Sequence, residues 1–401
     1  MKVLLLNLYY PPDTSATAKM AAAFIEPLAQ KHDVTVVCGR PSYDPTDRRS
    51  WQVWQTEQLN GVRVVRVGST DYPRTQMTRR VFNYLSYVAL SVPRALFTSC
   101  DLVLAMTDPP FEGIVGAVVA MLKRKPFVYN IRDMYPDMAV GGSIVKPGLM
   151  ARVWEKLHRW ALRRATRVIV LGEDMRTRIA AKGVAPERID IVRDGVDTSG
   201  APPASPDFDA DIIRTIRGAF GFVLVHAGNL GFYGAWETLI AAARELQSDG
   251  VGLVFVGDGA QRERLQALAA NTQNVRFLPF FPSSKISSVL AAADAHVITI
   301  KRGLEGVVVP SKMYGILAAG RPIVAIAPKE TDAATLGVRE QFGCAADPDK
   351  VDEVVAVVRQ LVADPQRLAA MGAAARSAAP RYTRSAEIEK FAAILELATE
   401  P

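Results

Sequence analysis

Cysteine is scarce in this chain, with three among 401 residues, and Cys38, Cys100 and Cys344 lie far apart without a Cys-x-x-Cys spacing. That pattern argues against a disulfide framework and against a cysteine-built zinc site, and it makes a reducing cytoplasm the simplest compartment. Long hydrophobic runs are lacking as well. No stretch reaches the roughly 20 uncharged apolar residues that span a bilayer, and the nearest candidate, Val81 to Ser99, is interrupted by Asn83, Pro93 and Arg94. The opening run Val3 to Leu6 ends at Asn7 and Pro11-Pro12 with no small-residue cleavage site, so it reads as a first buried strand rather than a signal peptide. No nucleic-acid motif is found, which sets nucleic acid aside as a partner. Neither half opens with Gly-x-Gly-x-x-Gly after its first strand, which argues against a nicotinamide dehydrogenase.

What is present is a folded, basic chain. Hydrophobic residues make up 49% and charged residues 22%, the balance of a globular protein. A single core rarely serves 401 residues, so two α/β domains of similar size are expected. The formal net charge of +7 suits anionic partners such as nucleotide phosphates or anionic lipid headgroups.

Short apolar runs alternate with helical patterns: Val34-Val37, Val62-Val67, Leu102-Ala105, Phe127-Ile131, Val168-Leu171 and Ile189-Val192 follow the first strand. Continuous apolar runs between helices are what a parallel sheet covered on both faces requires. Residues 1–195 therefore read as a Rossmann-like domain. A Gly-, Pro-, Ser- and Asp-rich stretch then marks a linker over 196–211. Its Asp207, Asp209 and Asp211 look like an acidic metal triplet, but no strand leads into them, and a solvated linker is the reading adopted. The alternation restarts with Phe222-His226, Leu253-Val256, Val275-Leu278, Val297-Ile300 and Ile323-Ile326, giving a second Rossmann-like domain over 212–380. The tail from Val351 is helical and ends with an amphipathic segment, Ala386 to Leu397.

In open parallel sheets, ligands bind beyond the carboxyl ends of the strands. Four such turns in the second half stand out. In His226-Ala227-Gly228-Asn229-Leu230-Gly231, small residues between a strand and a helix let backbone N–H groups approach a phosphate, although an ordinary glycine turn looks the same. Gly257-Asp258-Gly259 offers a turn against which a base or ribose can lie, and is also a common tight turn. Pro279-Phe280-Phe281-Pro282 presents aromatic surface, with core packing the alternative for at least one ring. The most informative is Glu305-Gly306, followed by Pro310-Ser311-Lys312 opening a helix Met313 to Ala319. A helix start with a lysine beside it is a diphosphate site in physical terms, and Glu305 is placed to accept hydrogen bonds from sugar hydroxyls. The alternative is that Lys312 and Glu305 are solvated surface charges.

Together these segments, with Tyr9-Tyr10-Pro11-Pro12-Asp13, Gly39-Arg40-Pro41-Ser42-Tyr43, Thr107-Asp108-Pro109-Pro110 and Arg132-Asp133-Met134-Tyr135-Pro136-Asp137, resemble the family 4 retaining glycosyltransferases of the GT-B superfamily. The likeness extends to bacterial cell-surface polysaccharide enzymes that transfer amino or deoxy sugars. The resemblance implies two Rossmann-like domains facing a central cleft, with residues 381–401 crossing back onto the first domain as a C-terminal helix. It also implies an NDP-sugar, with UDP the expected nucleotide, bound by the second domain, and a glycan or lipid-linked acceptor bound by the first. No metal or other cofactor is expected, since helix dipole and cations stabilise the departing diphosphate. The implied donor-side residues are Gly228, Asn229, Leu230, Gly231, Gly257, Asp258, Gly259, Phe280, Arg302, Gly306, Pro310, Ser311 and Met313, with Glu305 and Lys312 acting in catalysis. On the acceptor side, Tyr10, Asp13, Thr107 and Tyr135 are implied, with Asp108 and Asp133 orienting the acceptor or stabilising positive charge on the sugar ring.

The chain departs from the family pattern in four places. Asn229, Phe232 and Tyr233 stand where relatives carry an Arg or Lys pair, leaving Lys312 and Arg302 to supply cations. The ribose-binding second glutamate falls near Gly315. Thr107-Asp108 replaces a histidine after the fourth strand, and Thr14-Ser15 a glycine pair. Residues 74–97, basic at Arg74, Arg79 and Arg80 and aromatic through Phe82, Tyr84 and Tyr87, are a candidate for peripheral contact with an anionic membrane, packing on the sheet being the alternative. A GT-B nucleotide-sugar 2-epimerase and a non-catalytic sugar-binding protein are the rival readings.

Overall fold

Strands too short to satisfy their own backbone groups must pair with one another. In the computed structural model, which describes residues 1–41, 51–70, 72, 77–142, 144–196 and 208–400, they do so in two sheets. Ser42, Tyr43, Arg74 and Asp207, singled out above, and the 197–207 part of the expected linker lie outside the described residues. The chain divides into one unit of Met1–Leu171, Arg176–Val192 and Glu387–Pro401, and a second of Gly172–Met175 and Arg193–Ala386.

The first unit holds β1 (Lys2–Leu6), β2 (Asp33–Cys38), β3 (Trp54–Leu59), β4 (Val62–Val67), β5 (Leu102–Ala105), β6 (Phe127–Asn130), β7 (Arg167–Val170) and β8 (Ile189–Ile191). Their spatial order is β3-β4-β2-β1-β5-β6-β7-β8, parallel except for the β3 to β4 pair. The edge strand β3 is an addition to the sequence expectation. Its residues, WQTEQL, alternate between exposed and half-buried, so it lacks the apolar run that marks the interior strands.

The second unit holds β9 (Phe222–Ala227), β10 (Val251–Val256), β11 (Val275–Leu278), β12 (Ala295–Thr299), β13 (Ile323–Ile326) and β14 (Gly343–Ala346), in the order β11-β10-β9-β12-β13-β14 and all parallel. The strand β14 also went unread, because GCAA is too small and too short to register as a strand. In both sheets the strand order reverses once, between β1 and β5 and between β9 and β12. Diverging connections leave a crevice at such a point.

Two boundaries differ from the sequence reading. Asp209, expected in the linker, caps the helix Ala210–Arg217, accepting from the Asp211 and Ile212 amides, both 3.2 Å away. It also pairs with Lys285 at 2.9 Å, so it serves a helix start rather than a cation site. Residues 381–386, expected to begin the returning helix, stay with the second unit. There Tyr382 packs 5.6 Å from Tyr314, and Val196 bridges to Thr383.

From Glu387 onward the chain completes the first unit. Phe391 and Leu395 of the helix Arg384–Leu397 enter the core around Phe24, Ile25 and Leu28, and the Phe24 and Phe391 rings meet edge to face at 5.3 Å. Phe391→Ala is expected to destabilise the first unit by about 3–5 kcal/mol, measured by urea unfolding. A change near zero would show that this helix is not part of that core.

Candidate active site

The second unit's crevice is built by two loops locked together. The turn after β9 and the turn after β10 hydrogen-bond to each other, Gly228 N to Val256 O at 2.9 Å and Leu230 N to Asp258 O at 2.8 Å. Gly257 has φ +151°, and a Cβ added there would lie 2.0 Å from Gly228 O. Only glycine fits, because the neighbouring turn occupies the space a side chain needs. This bears on two amides of the glycine turn. The Gly228 and Leu230 amides are spent on the adjacent turn and do not face a phosphate.

Lys312 supplies the charge instead. Its ammonium lies 3.0 Å from His226 Nε2 and 3.2 Å from Nδ1, and a Cβ built on Gly228 would stand 3.6 Å from it. Burial pushes Lys312 down to about 7, and burial together with Lys312 holds His226 well below the usual imidazole range. Among the described residues no carboxylate pairs with Lys312. His226, buried at the end of β9 with Trp236 edge to face at 4.8 Å, is a site residue the sequence reading passed over. Its signal was a titratable residue ending an otherwise apolar strand.

The loop after β12 is tied to the loop after β9, Lys301 N donating to Tyr233 O at 2.7 Å and Ala235 N to Thr299 Oγ1 at 2.9 Å. Glu305 is half-buried on it and accepts from Gly303 N at 2.9 Å. Gly306 has φ +63° and lies against Asp174, whose carboxylate accepts its amide at 3.3 Å. Asp174 also accepts the Met175 and Asp332 amides. Burial and the neighbouring Asp332 push its carboxyl up to about 6. Asp332 in turn holds Arg193 at 3.1 Å. Asp174 thus anchors the loop that carries Glu305 and was not foreseen, because 131 positions separate it from that glutamate.

The other donor-side candidates divide. Asn229 and Asp258 are exposed at the turn tips, Asp258 accepting from Gly259 N at 2.8 Å. Phe280 is 59% exposed while Phe281 packs against the core, so the two rings take the two roles weighed for them. Ser311 is exposed at the start of the helix Lys312–Ala318 but makes no side-chain cap, and Pro310 accepts the Met313 amide at 3.2 Å. The Leu230 and Met313 side chains are buried in the core and present nothing to a ligand. Trp236 Nε1 donates to Gly231 O at 2.7 Å. Arg302 is not an available cation, since Asp347 and Asp349 bind its guanidinium at 2.7 and 2.5 Å.

In the first unit, the exits of β1, β2, β5 and β6 are linked. Gly39 N donates to Leu8 O at 2.9 Å, Leu8 N to Asp108 O at 2.7 Å, and Asp133 N to Thr107 Oγ1 at 3.3 Å. This brings Asp108, Asp133 and Thr107 to one edge. Tyr135 stacks on Trp154 at 5.9 Å, and burial with the charges of Asp133 and Asp108 pushes its phenol above the ordinary range. Asp13 is buried and accepts the Ser15 amide at 3.0 Å, shaping the entry to the helix Ala16–Leu28, while Tyr10 is a core residue. Behind the Asp108 turn, Glu112 receives the Tyr87 hydroxyl at 3.1 Å, and burial pushes its carboxyl up to about 8.

Comparison with known proteins agrees with this geometry. Residues 15–195 match the model of the glycosyl transferase 4-like domain and residues 219–378 that of the glycosyl transferases group 1. The chain is 25% identical over 387 residues to the putative colanic acid biosynthesis glycosyl transferase WcaI of Escherichia coli, covering 91% of this chain and 93% of that one. It is 24% identical over 297 residues to the probable glycosyltransferase WbjE of Pseudomonas aeruginosa, covering 73% and 74%. The crystal structure of Anabaena HepE in complex with UDP-glucose superposes with a TM-score of 0.71 at 20% identity, covering 99% of each chain. Two crevices at strand-order reversals, each within its own matched domain, have one common explanation: the chain belongs to the family 4-type GT-B glycosyltransferases.

Proposed function

We propose that the protein transfers a sugar from a UDP-sugar held by the second unit to a hydroxyl of a glycan or lipid-linked acceptor held by the first, with retention of anomeric configuration. The observation that carries this is the half-buried Lys312, whose ammonium is partly desolvated, aimed at the Gly228 turn and lacking a carboxylate partner among the described residues. A desolvated cation is costly until an anion answers it. A diphosphate at a strand-order reversal is such an anion. HepE, solved with UDP-glucose, supports uridine as the nucleotide, and the likeness to a putative colanic acid biosynthesis enzyme supports a biosynthetic glycosyl transfer; the sugar proposed is an N-acetylated amino or deoxy sugar.

Lys312 stabilises the charge that develops on the departing diphosphate, and Glu305, held by the anchored loop, orients the sugar hydroxyls. Asp108 and Asp133 position the acceptor. The acceptor oxygen bonds to the anomeric carbon on the face the diphosphate leaves, as the carbon–oxygen bond to the diphosphate breaks and the hydroxyl proton passes to the departing phosphate oxygen, so configuration is retained. With Lys312 neutralising the diphosphate, transfer proceeds without a divalent cation and persists in EDTA. Among the described residues no helix is long and apolar enough to cross a membrane. The working location proposed is the cytoplasmic side of the cell membrane.

UDP-sugars are expected to raise the melting temperature by mass action, GDP-sugars less so, and Lys312→Met to abolish the shift. If no nucleotide sugar shifts the melting curve of the wild-type chain, this reading fails. The pH dependence has a defined sign. Lys312 titrates near 7 in the free protein, and a bound diphosphate raises that value, so binding takes up a proton above it. UDP-sugar affinity should therefore be level below about 7 and weaken by up to about tenfold per unit above it. The unliganded fold behaves oppositely. Its lysine pKa is depressed relative to the unfolded chain, so this group's penalty diminishes as pH rises from about 7 toward the ordinary lysine range. Isothermal titration of the wild-type chain with a UDP-sugar across this window checks the first trend, and urea unfolding of the unliganded wild-type and Lys312→Met chains across it checks the second.

A further inference from the structure

The helix Leu149–Arg164 of the first unit turns an unusual face to solvent. Leu149 and Met150 are 74% and 76% exposed, and Val153 and Leu157 continue the same stripe at helical spacing. Arg152, Lys156 and Arg163 form a second exposed stripe beside it, and Lys146 and Arg164 are exposed nearby. The buried side carries Ala151, His158, Ala161 and Leu162. Glu155, the helix's one acid, is engaged by Arg159 at 2.6 Å and by Lys182 at 2.7 Å, so no carboxylate offsets the basic stripe. Singly exposed apolar residues are ordinary, whereas four on one helical face are not.

We propose that this face docks on an anionic lipid bilayer and holds the acceptor edge at the depth of the headgroups. An apolar stripe flanked by lysine and arginine is the pattern of a helix lying in the bilayer interface. The charges oppose the competing occupant. A two-fold contact with a second copy would bring basic stripes toward each other with no acid between them.

The face also adjoins the chemistry. Trp154, between Val153 and Glu155, stacks on Tyr135, and Tyr135 shares its surroundings with Asp133, Asp108, Tyr84 and Arg80. The helix Met77–Phe97 carries those last two residues and exposes Val81, Phe82 and Leu85. Its Arg80 is occupied over the Tyr84 ring at 5.5 Å. The 77–97 helix, within the segment expected from the sequence to meet the membrane, therefore contributes apolar surface, while the basic stripe belongs to the 149–164 helix. The inference rests on the reading that the acceptor is lipid-linked.

The test is co-sedimentation of the full chain with vesicles of phosphatidylcholine, alone or with phosphatidylglycerol. Binding is expected to the mixed vesicles and to fall as salt rises. Arg152→Gln/Lys156→Gln/Arg163→Gln should weaken it by roughly a hundredfold, and Leu149→Ser/Met150→Ser/Val153→Ser/Leu157→Ser should abolish it. Both variants should keep the melting shift with UDP-sugar, which reports an intact fold and donor site. Absence of wild-type binding at low salt overturns the proposal, as does undiminished binding by either variant. A dimer in light scattering that the apolar variant dissociates assigns the face to a second copy and equally overturns it. Each of these results leaves the donor reading standing, whereas loss of the wild-type melting shift would remove that reading alone.

Discussion

A half-buried ammonium set against an imidazole, with no carboxylate partner among the described residues, is the constraint to which the second unit is built. Lys312 reaches the Gly228 turn because the helix Lys312–Ala318 begins there, and that helix is pinned by Met313, Tyr314, Ile316 and Leu317 in the core. Withdrawing the charge is opposed by desolvation, and His226, itself held neutral by burial, receives the amine without cancelling a positive charge. A carboxylate in that place would satisfy Lys312 and leave nothing for a ligand. The imidazole keeps the lysine in position and leaves it short of an anion.

The surrounding loops are held by constraints of a different kind. Gly257 cannot carry a side chain because the Gly228 carbonyl fills that volume, so the turns after β9 and β10 move as one piece. Gly306 is similarly excluded from bearing a Cβ by the Asp174 backbone. The Asp174 carboxyl joins Gly306 to the start of the helix Asp332–Arg339 through two amides. Its raised pKa reflects first its burial and then its place beside Asp332, a carboxylate that Arg193 partly offsets. Glu305 therefore hangs from a braced loop rather than a free one, and bracing is what precise contact with hydroxyls requires.

Much of this scaffold was legible in the sequence because buried parallel strands are continuous apolar runs, and the rule that ligands gather at strand exits pointed to the loops that meet at the strand-order reversal. The misses have identifiable causes. The strand β3 is amphipathic at an edge, and β14 is built of glycine, cysteine and alanine. The partnership of His226 with Lys312 spans 86 positions and leaves no local pattern. Counting glycines suggested amides presented to a phosphate, but which amides are already bonded depends on the neighbouring turn. Arg302 looked like a replacement cation until two aspartates from beyond β14 closed on it. Leu230 and Met313 illustrate the same limit. A residue inside a ligand loop can still be a core residue, and only packing separates the two.

The sign of charge at each crevice then divides the work between the units. In the second unit the loops converge on a half-buried cation, which favours phosphate oxygens. In the first, Asp108 and Asp133 stand on linked loops with Tyr135 between an aromatic neighbour and those carboxylates. Behind them Glu112, pushed up to about 8, remains protonated at neutral pH and adds no third charge. If it ionised there, its charge would repel that of Asp108. Burial of Glu112 avoids that conflict, the hydrogen bond from the Tyr87 hydroxyl opposing it only in part. The half-buried edge that carries Asp108 and Asp133 bears the sign of charge that the proposed acceptor role asks for and that a diphosphate would be repelled by.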